Sequence, residues 1–212
     1  MIAVPPVAIA VSPARVVLAA GETRQLHVAN RGSSPAVVGV VTAGYTLGLR
    51  GRVRILARSS SVAVTPRRLV VPARGSAALS VVGAARGPGD HPALVLLTTQ
   101  RPQSDIAVRV RVGVVVLVRG AGRVVHRLAA ERLRVRRGRL ELWLRNRGNV
   151  AEALGIRVRL GRRVLRDTRQ LLPHTRGVSE LRYPGRLHGR FRVRVEIVFG
   201  GRVLRRTFRL RL

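Results

Sequence analysis

The segment Phe191-Arg192-Val193-Arg194-Val195-Glu196-Ile197 places an apolar side chain at every second position, with a charged one between. The same alternation runs through Ala107-Val108-Arg109-Val110-Arg111-Val112 and Phe208-Arg209-Leu210-Arg211-Leu212. Successive side chains of a strand point to opposite faces, so this spacing buries Val, Ile and Leu and leaves Arg in water. A helix would scatter the same arginines around its circumference. Shorter apolar runs, among them residues 16–18, 25–28, 36–41, 77–82, 93–97 and 154–160, are separated by Gly, Pro, Ser, Asn or charge. Many short strands between turn signals predict an all-β chain of sandwich type. Helix is expected to be minor at most, with residues 131–136 its one candidate, and even that segment alternates.

The chain of 212 residues is long enough for two domains of about 100 residues, each with a core of its own. Aromatic residues make up only 3%, so the cores must be filled by Val, Leu, Ile and Ala, and a ring-lined enzyme pocket is not expected. Forty-one basic residues face nine acidic ones, for a net charge of +32, and every basic residue is Arg. Cutting after residue 110 leaves 13 Arg and 3 acids before the cut, a net +10, and 28 Arg and 6 acids after it, a net +22. Such a field attracts polyanions, whether nucleic acid, anionic cell-wall polymer or lipid headgroups. With no cysteine there is no disulfide framework or thiol chemistry. The opening MIAVPPVAIAVSP has no basic n-region and is broken by Pro5 and Pro6, so it does not read as an intact signal peptide. No apolar run approaches the roughly 18 residues of a membrane span.

Internal similarity organises the chain. Arg24 to Val40, RQLHVANRGSSPAVVGV, parallels Leu140 to Ile156, LELWLRNRGNVAEALGI: an alternating strand, Asn-Arg-Gly, a short turn, and a second apolar strand. Further on, Leu69-Val70-Val71-Pro72-Ala73-Arg74-Gly75-Ser76 parallels Gln170-Leu171-Leu172-Pro173-His174-Thr175-Arg176-Gly177, and GPGDHPALVLLTT parallels HGRFRVRVEIV. The matches keep their order, as expected of two related modules. The boundary is placed near residues 104–112, giving modules 1–108 and 109–212, the second strongly basic.

The opening Ala10-Val11-Ser12-Pro13-Ala14-Arg15-Val16-Val17-Leu18, with Ala20-Gly21-Glu22 and Leu26-His27-Val28-Ala29-Asn30-Arg31-Gly32, resembles that of the PapD-like superfamily. This group includes periplasmic pilus chaperones and major-sperm-protein domains. Val64-Thr65-Pro66-Arg67-Arg68-Leu69-Val70-Val71-Pro72-Ala73-Arg74-Gly75 resembles a later strand and turn of the same fold. The two-module layout, with Asn146-Arg147-Gly148-Asn149-Val150 in the second module, is also similar to bacterial surface proteins that pair a peptidoglycan-binding with a WxL-interacting domain. The resemblance implies two tandem immunoglobulin-like β-sandwiches, an extracytoplasmic location and a binding role without catalysis. Likeness to a pilus chaperone implies donation of a strand to an incomplete subunit, with a basic pair holding that subunit's C-terminal carboxylate. Arg15 fits the first member of the pair. No Lys completes it, and Arg111 is a loose positional substitute. Likeness to the surface proteins implies a C-terminal anchor, and no segment of that kind is expected among these residues.

The residues themselves assemble no catalytic set. His27, His91, His126, His174 and His188 are dispersed, no HExxH occurs, and neither a metal nor a cofactor is expected. Asp90-His91 reads as turn chemistry, Ser59-Ser60-Ser61 as a solvated loop, and Asn30 and Asn146 as turn formers. Trp143 should point with Glu141 and Arg145, away from the leucines around it. Residues 42–54 read as a long hairpin offering Tyr45 and arginines for contact. The sizeable signal is the arginine stripes: Arg109 and Arg111 near the junction, then Arg157, Arg159, Arg192, Arg194, Arg209 and Arg211. The main expectation is a non-enzymatic module pair contacting an anionic cell-envelope polymer or another surface or pilus protein. A nucleic-acid-associated basic protein and a pilus-subunit chaperone are the alternatives, and nonspecific polyanion binding is expected in each case.

Overall fold

The computed structural model describes residues 8–100, 110–136, 138–183 and 189–211. Among them no helix is long and apolar enough to cross a membrane. All regular structure is strand, including residues 131–136, where the alternation outweighs the helix expectation. The chain divides into two compact units: residues 1–45 with 55–122, and residues 46–54 with 123–212.

The first unit contains β1 (Ile9–Ser12), β2 (Arg15–Ala19), β3 (Thr23–Asn30), β4 (Ala36–Leu47), β5 (Val53–Ile55), β6 (Val62–Thr65), β7 (Arg68–Val71), β8 (Ser76–Gly83), β9 (Gly89–Gln100) and β10 (Arg111–Gly120), with the tip of the β4–β5 hairpin grouped in the second unit. One sheet runs β1-β3-β8-β6; the other runs β2-β10-β9-β4-β5, with β7 also on β4. Between β1 and β2 stands Pro13, which has no N–H to give a ladder. There the chain changes sheets: β1 pairs antiparallel with β3, and β2 pairs parallel with β10. Val16, Leu18, Leu26, Val28, Val38, Val40, Leu79, Val81, Val95, Val116 and Val118 fill the space between the sheets without one aromatic ring.

The second unit contains β11 (Leu128–Arg136), β12 (Arg139–Asn146), β13 (Glu152–Leu160), β14 (Arg163–Leu171), β15 (Arg176–Arg182), β16 (Arg190–Phe199) and β17 (Arg202–Arg211). Its sheets run β11-β12-β15 and β14-β13-β16-β17. Leu140, Leu142, Leu144, Ile156, Val158, Val193, Val195 and Ile197 form its core. Trp143 turns to the other side of β12, half-buried, with the Arg132 guanidinium 3.9 Å from its ring centre.

Strand adjacency follows the internal repeat. β3 lies on β8 as β12 lies on β15; β4 lies between β7 and β9 as β13 lies between β14 and β16; β9 lies on β10 as β16 lies on β17. The expected boundary is displaced, however. Residues 111–120, assigned from sequence to the second module, form β10, which pairs with β9 along its length and with β2 over residues 115–119. An unbroken apolar run carries no mark of which core it enters, so the division falls at 122/123 rather than 108/109.

The Asn-Arg-Gly repeat is a buried corner in both units. Asn30 Nδ2 donates to Ser34 O at 2.8 Å, and its Oδ1 accepts the Gly32 N–H at 2.9 Å. Asn146 Nδ2 donates to Val150 O at 2.7 Å and Leu172 O at 3.1 Å, and its Oδ1 accepts the Gly148 N–H at 2.9 Å. The facing turns match as well: Arg74 and His174 both take positive φ, and their N–H groups donate to Gly32 O and Gly148 O. A Cβ on Gly148 would stand 2.1 Å from Val125 O, so the corner closes only over glycine.

Candidate functional site

In the first unit, β10 sends Val114, Val116 and Val118 into the core and Arg111, Gly113, Val115 and Leu117 to the opposite face of its sheet. Register aligns this outward face in rows. Arg15 lies opposite Val115, which faces Leu94, which faces Ala43; Val17 lies opposite Leu117; Gly113 faces Leu96, which faces Val41. The result is an apolar sheet face with arginine at its margin. Val17 and Val41 are 52% and 55% exposed at its margins, whereas Leu94, Leu96 and Leu117 between them are buried.

Arg15 and Arg111 are both exposed on this face. They do not share a row: Arg111 precedes Arg15's partner Val115 by four residues, a displacement of ~13 Å along the strand. Tyr45 is 4% exposed, so it is not available for the open contact expected of it. Burial pushes its phenol pKa up, and the charge of Arg15 pulls against that shift. Residues 42–54 do form a hairpin, closed by the Gly48 N–H donating to Arg52 O at 2.8 Å. Arg109 lies outside the described residues.

In the second unit, Arg157, Arg159, Arg192, Arg194, Arg209 and Arg211 all stand exposed on the outward face of β13, β16 and β17. Sequence alternation located these six, and register adds Arg166, opposite Arg157, and Arg205, opposite Glu196. Alternation does not reveal those two, because β14 and β17 alternate poorly: Arg205-Arg206 interrupts the pattern. Arg206 turns to the other side, where it donates to Ala130 O at 2.7 Å and lies over the Phe208 ring.

Several other polar groups are committed to structure. Arg119 holds the buried Asp90 carboxylate through Nε at 2.8 Å and Nη2 at 3.1 Å. His126 Nδ1 lies 2.7 Å from Oε1 of the buried Glu152, a pairing across 26 positions that sequence spacing did not disclose. Glu180 takes Arg50 and Arg139; hydrogen bonding from Arg50, more than from Arg139, holds its carboxyl below the usual range. Among the described residues no three His, Asp or Glu side chains cluster to hold a metal.

No protein-family model matches the sequence, and no curated protein matches it. Solved structures do. The class 5 fimbriae chaperone CfaA aligns with a TM-score of 0.63 at 11% identity, over 94% of this chain and 98% of that one. A chain of the CsuC–CsuE chaperone–tip adhesion subunit pre-assembly complex from Csu pili of Acinetobacter baumannii gives 0.58 at 14% identity, over 95% and 97%. The fold is PapD-like. A chain from the Salmonella enterica SafA pilin–SafB chaperone complex gives 0.55 at 17% identity, over 97% and 96%. Each of these likenesses spans both units, so the shared fold is the immunoglobulin-like pair and not one sandwich alone.

Proposed function

We propose that this chain is an extracytoplasmic chaperone of pilus-subunit type, which binds an incomplete immunoglobulin-like subunit by adding a strand to it. The observation that carries the reading is the end-to-end likeness to pilus chaperones, some solved with a pilin or tip subunit. The chemistry of strand addition agrees with it: main-chain hydrogen bonds supply affinity, and alternate side chains supply specificity. The sequence entering β10 has that form, with Val108, Val110 and Val112 alternating with Arg109 and Arg111.

Arg15, at the margin of the apolar face, is the group assigned to the subunit's terminal carboxylate. Arg111, on the same face but in another row, is the secondary contact. Guanidinium binds carboxylate bidentately, so the absence of Lys leaves the anchoring chemistry intact. An envelope polymer as the main partner has weaker support, because it rests on net charge and a layout resemblance read from the sequence.

The test co-exports the full chain with incomplete pilus subunits of its own cell and isolates complexes by size exclusion. A one-to-one complex is expected, and Arg15→Ala should lower its affinity by about tenfold or more, the scale for truncating one partner of a desolvated charge pair. Subunits that remain uncomplexed and aggregate alongside the wild-type chain would overturn the reading.

A further inference from the structure

Four cross-strand positions on the outward face of the β14-β13-β16-β17 sheet set arginine against arginine. Arg157 lies opposite Arg166, Arg159 opposite Arg194, Arg192 opposite Arg209, and Arg190 opposite Arg211. Like charges directly opposite destabilise a sheet. Little on the same strands offsets them. Asp167 turns inward to accept from Ser179 Oγ at 2.6 Å, and Glu152 is buried beside His126. Among the described residues only Glu196 brings a carboxylate to this face, and Arg205 takes it at 3.0 Å. Folding does not require this charge, since Thr207 and Val164 occupy equivalent outward positions without it.

The face has a shape as well as a sign. Arg157, Arg159, Arg194 and Arg205, with Glu196 and Thr207, ring a hollow of about 380 Å³. Rows of outward side chains follow one another every ~6.8 Å, two residues along a strand. From the hollow, the Arg192/Arg209 and Arg190/Arg211 rows continue towards one end of the sheet. The charge therefore forms a strip about 20 Å long that narrows from three strands at the hollow to two, β16 and β17, at its end.

We propose that this strip is a binding track for a linear polyanion of phosphate or phosphodiester groups, engaged row by row, with the hollow as one of its stations. Guanidinium matches phosphoryl oxygens bidentately. A flexible chain follows the surface as neighbouring strands rotate by about 20–25° each, whereas a flat array of lipid headgroups meets only part of it. Single-stranded nucleic acid is disfavoured because its nonspecific binders stack bases on aromatic rings, and Phe191 and Phe208 pack inward against the core. The track lies wholly in the second unit and does not depend on the chaperone reading.

The experiment titrates long-chain inorganic polyphosphate into the full chain at about 0.15 M salt, with orthophosphate, phosphatidylglycerol vesicles and oligothymidylate in parallel. Polyphosphate should bind saturably and more weakly as salt rises. R157S/R159S/R194S should lose about tenfold or more, while the charge-matched R31S/R67S/R68S in the first unit stays within about twofold. Equal losses in the two variants would reduce the effect to net charge and overturn the track. So would orthophosphate binding as well as the polymer, or tighter, face-dependent binding of vesicles or oligothymidylate. Circular dichroism checks that each variant is folded. Arg159→Thr, which removes one opposed pair, gives a milder variant that must weaken binding in the same direction.

Discussion

Asn30 and Asn146 are 1% and 0% exposed, yet each carries a polar amide into a sandwich interior. They are tolerated because every arm of the amide is used, and a buried polar group costs little only when it is satisfied. Asn146→Ala would remove the amide's hydrogen bonds to Val150 O, Leu172 O and the Gly148 N–H, of which Leu172 O keeps Thr175 as a donor and the Gly148 N–H keeps Arg127 O as an acceptor. A loss of about 2–3 kcal/mol is expected in urea unfolding, against near zero for Arg147→Ala beside it. Glu180 gives a second residue-scale prediction. Its carboxyl pKa is depressed in the folded chain by Arg50 and Arg139, so its contribution is present above the ordinary carboxylate value and is lost as pH falls through the folded one. Glu180→Gln should therefore show a shallower fall in stability between about pH 5 and pH 3, and superimposable acid limbs would count against the ion pair. The sequence identified Asn-Arg-Gly as a repeated turn but not as a buried corner. Burial depends on β7 and β14, whose carbonyls arrive from 41 and 25 positions away.

Strand polarity is where the sequence was most readable, because period-two spacing is itself the physical cause of which face is buried. β13 and β16 alternate buried and exposed along their length, with Val158, Val193 and Val195 inside and Arg157, Arg192 and Arg194 outside. Two substitutions probe this pleat: Val195→Asp should abolish folding, whereas Arg194→Asp should leave it intact. Arg194→Asp also converts an opposed pair with Arg159 into an attractive one, worth roughly 0.2–1 kcal/mol in thermal unfolding at low salt. That gain should shrink as salt is added. Alternation says nothing about which strand lies beside which. Arg166 and Arg205 were therefore missed, since they join the arginine face only through the register of β14 and β17. The burial of Tyr45 is hidden from the sequence for a related reason. A hairpin sequence does not say whether its outward face is covered.

At the scale of the molecule the charge is divided unequally. With residues 46–54 counted in it, the second unit carries 29 Arg against 6 acids, a net +23, and the first carries 12 against 3, a net +9. Self-repulsion of this size weakens the compact state, and salt relieves it. Raising salt from about 0.02 to 0.3 M should move unfolding of the second unit upward in temperature by more than that of the first, as followed by scanning calorimetry. Equal shifts would mean that local ion pairs, not the overall field, set the response. The unit boundary was illegible because the run from Val112 to Val118 is as apolar as any strand in either core. Edge strand β17 has one further consequence. Among the described residues no strand pairs with its outer rim, the usual template for one copy of a protein to zip onto another. Arg202, Arg205, Arg206, Arg209 and Arg211 would meet the same five charges on any copy that tried, so the strand left open at the edge also carries its own guard against fibril growth.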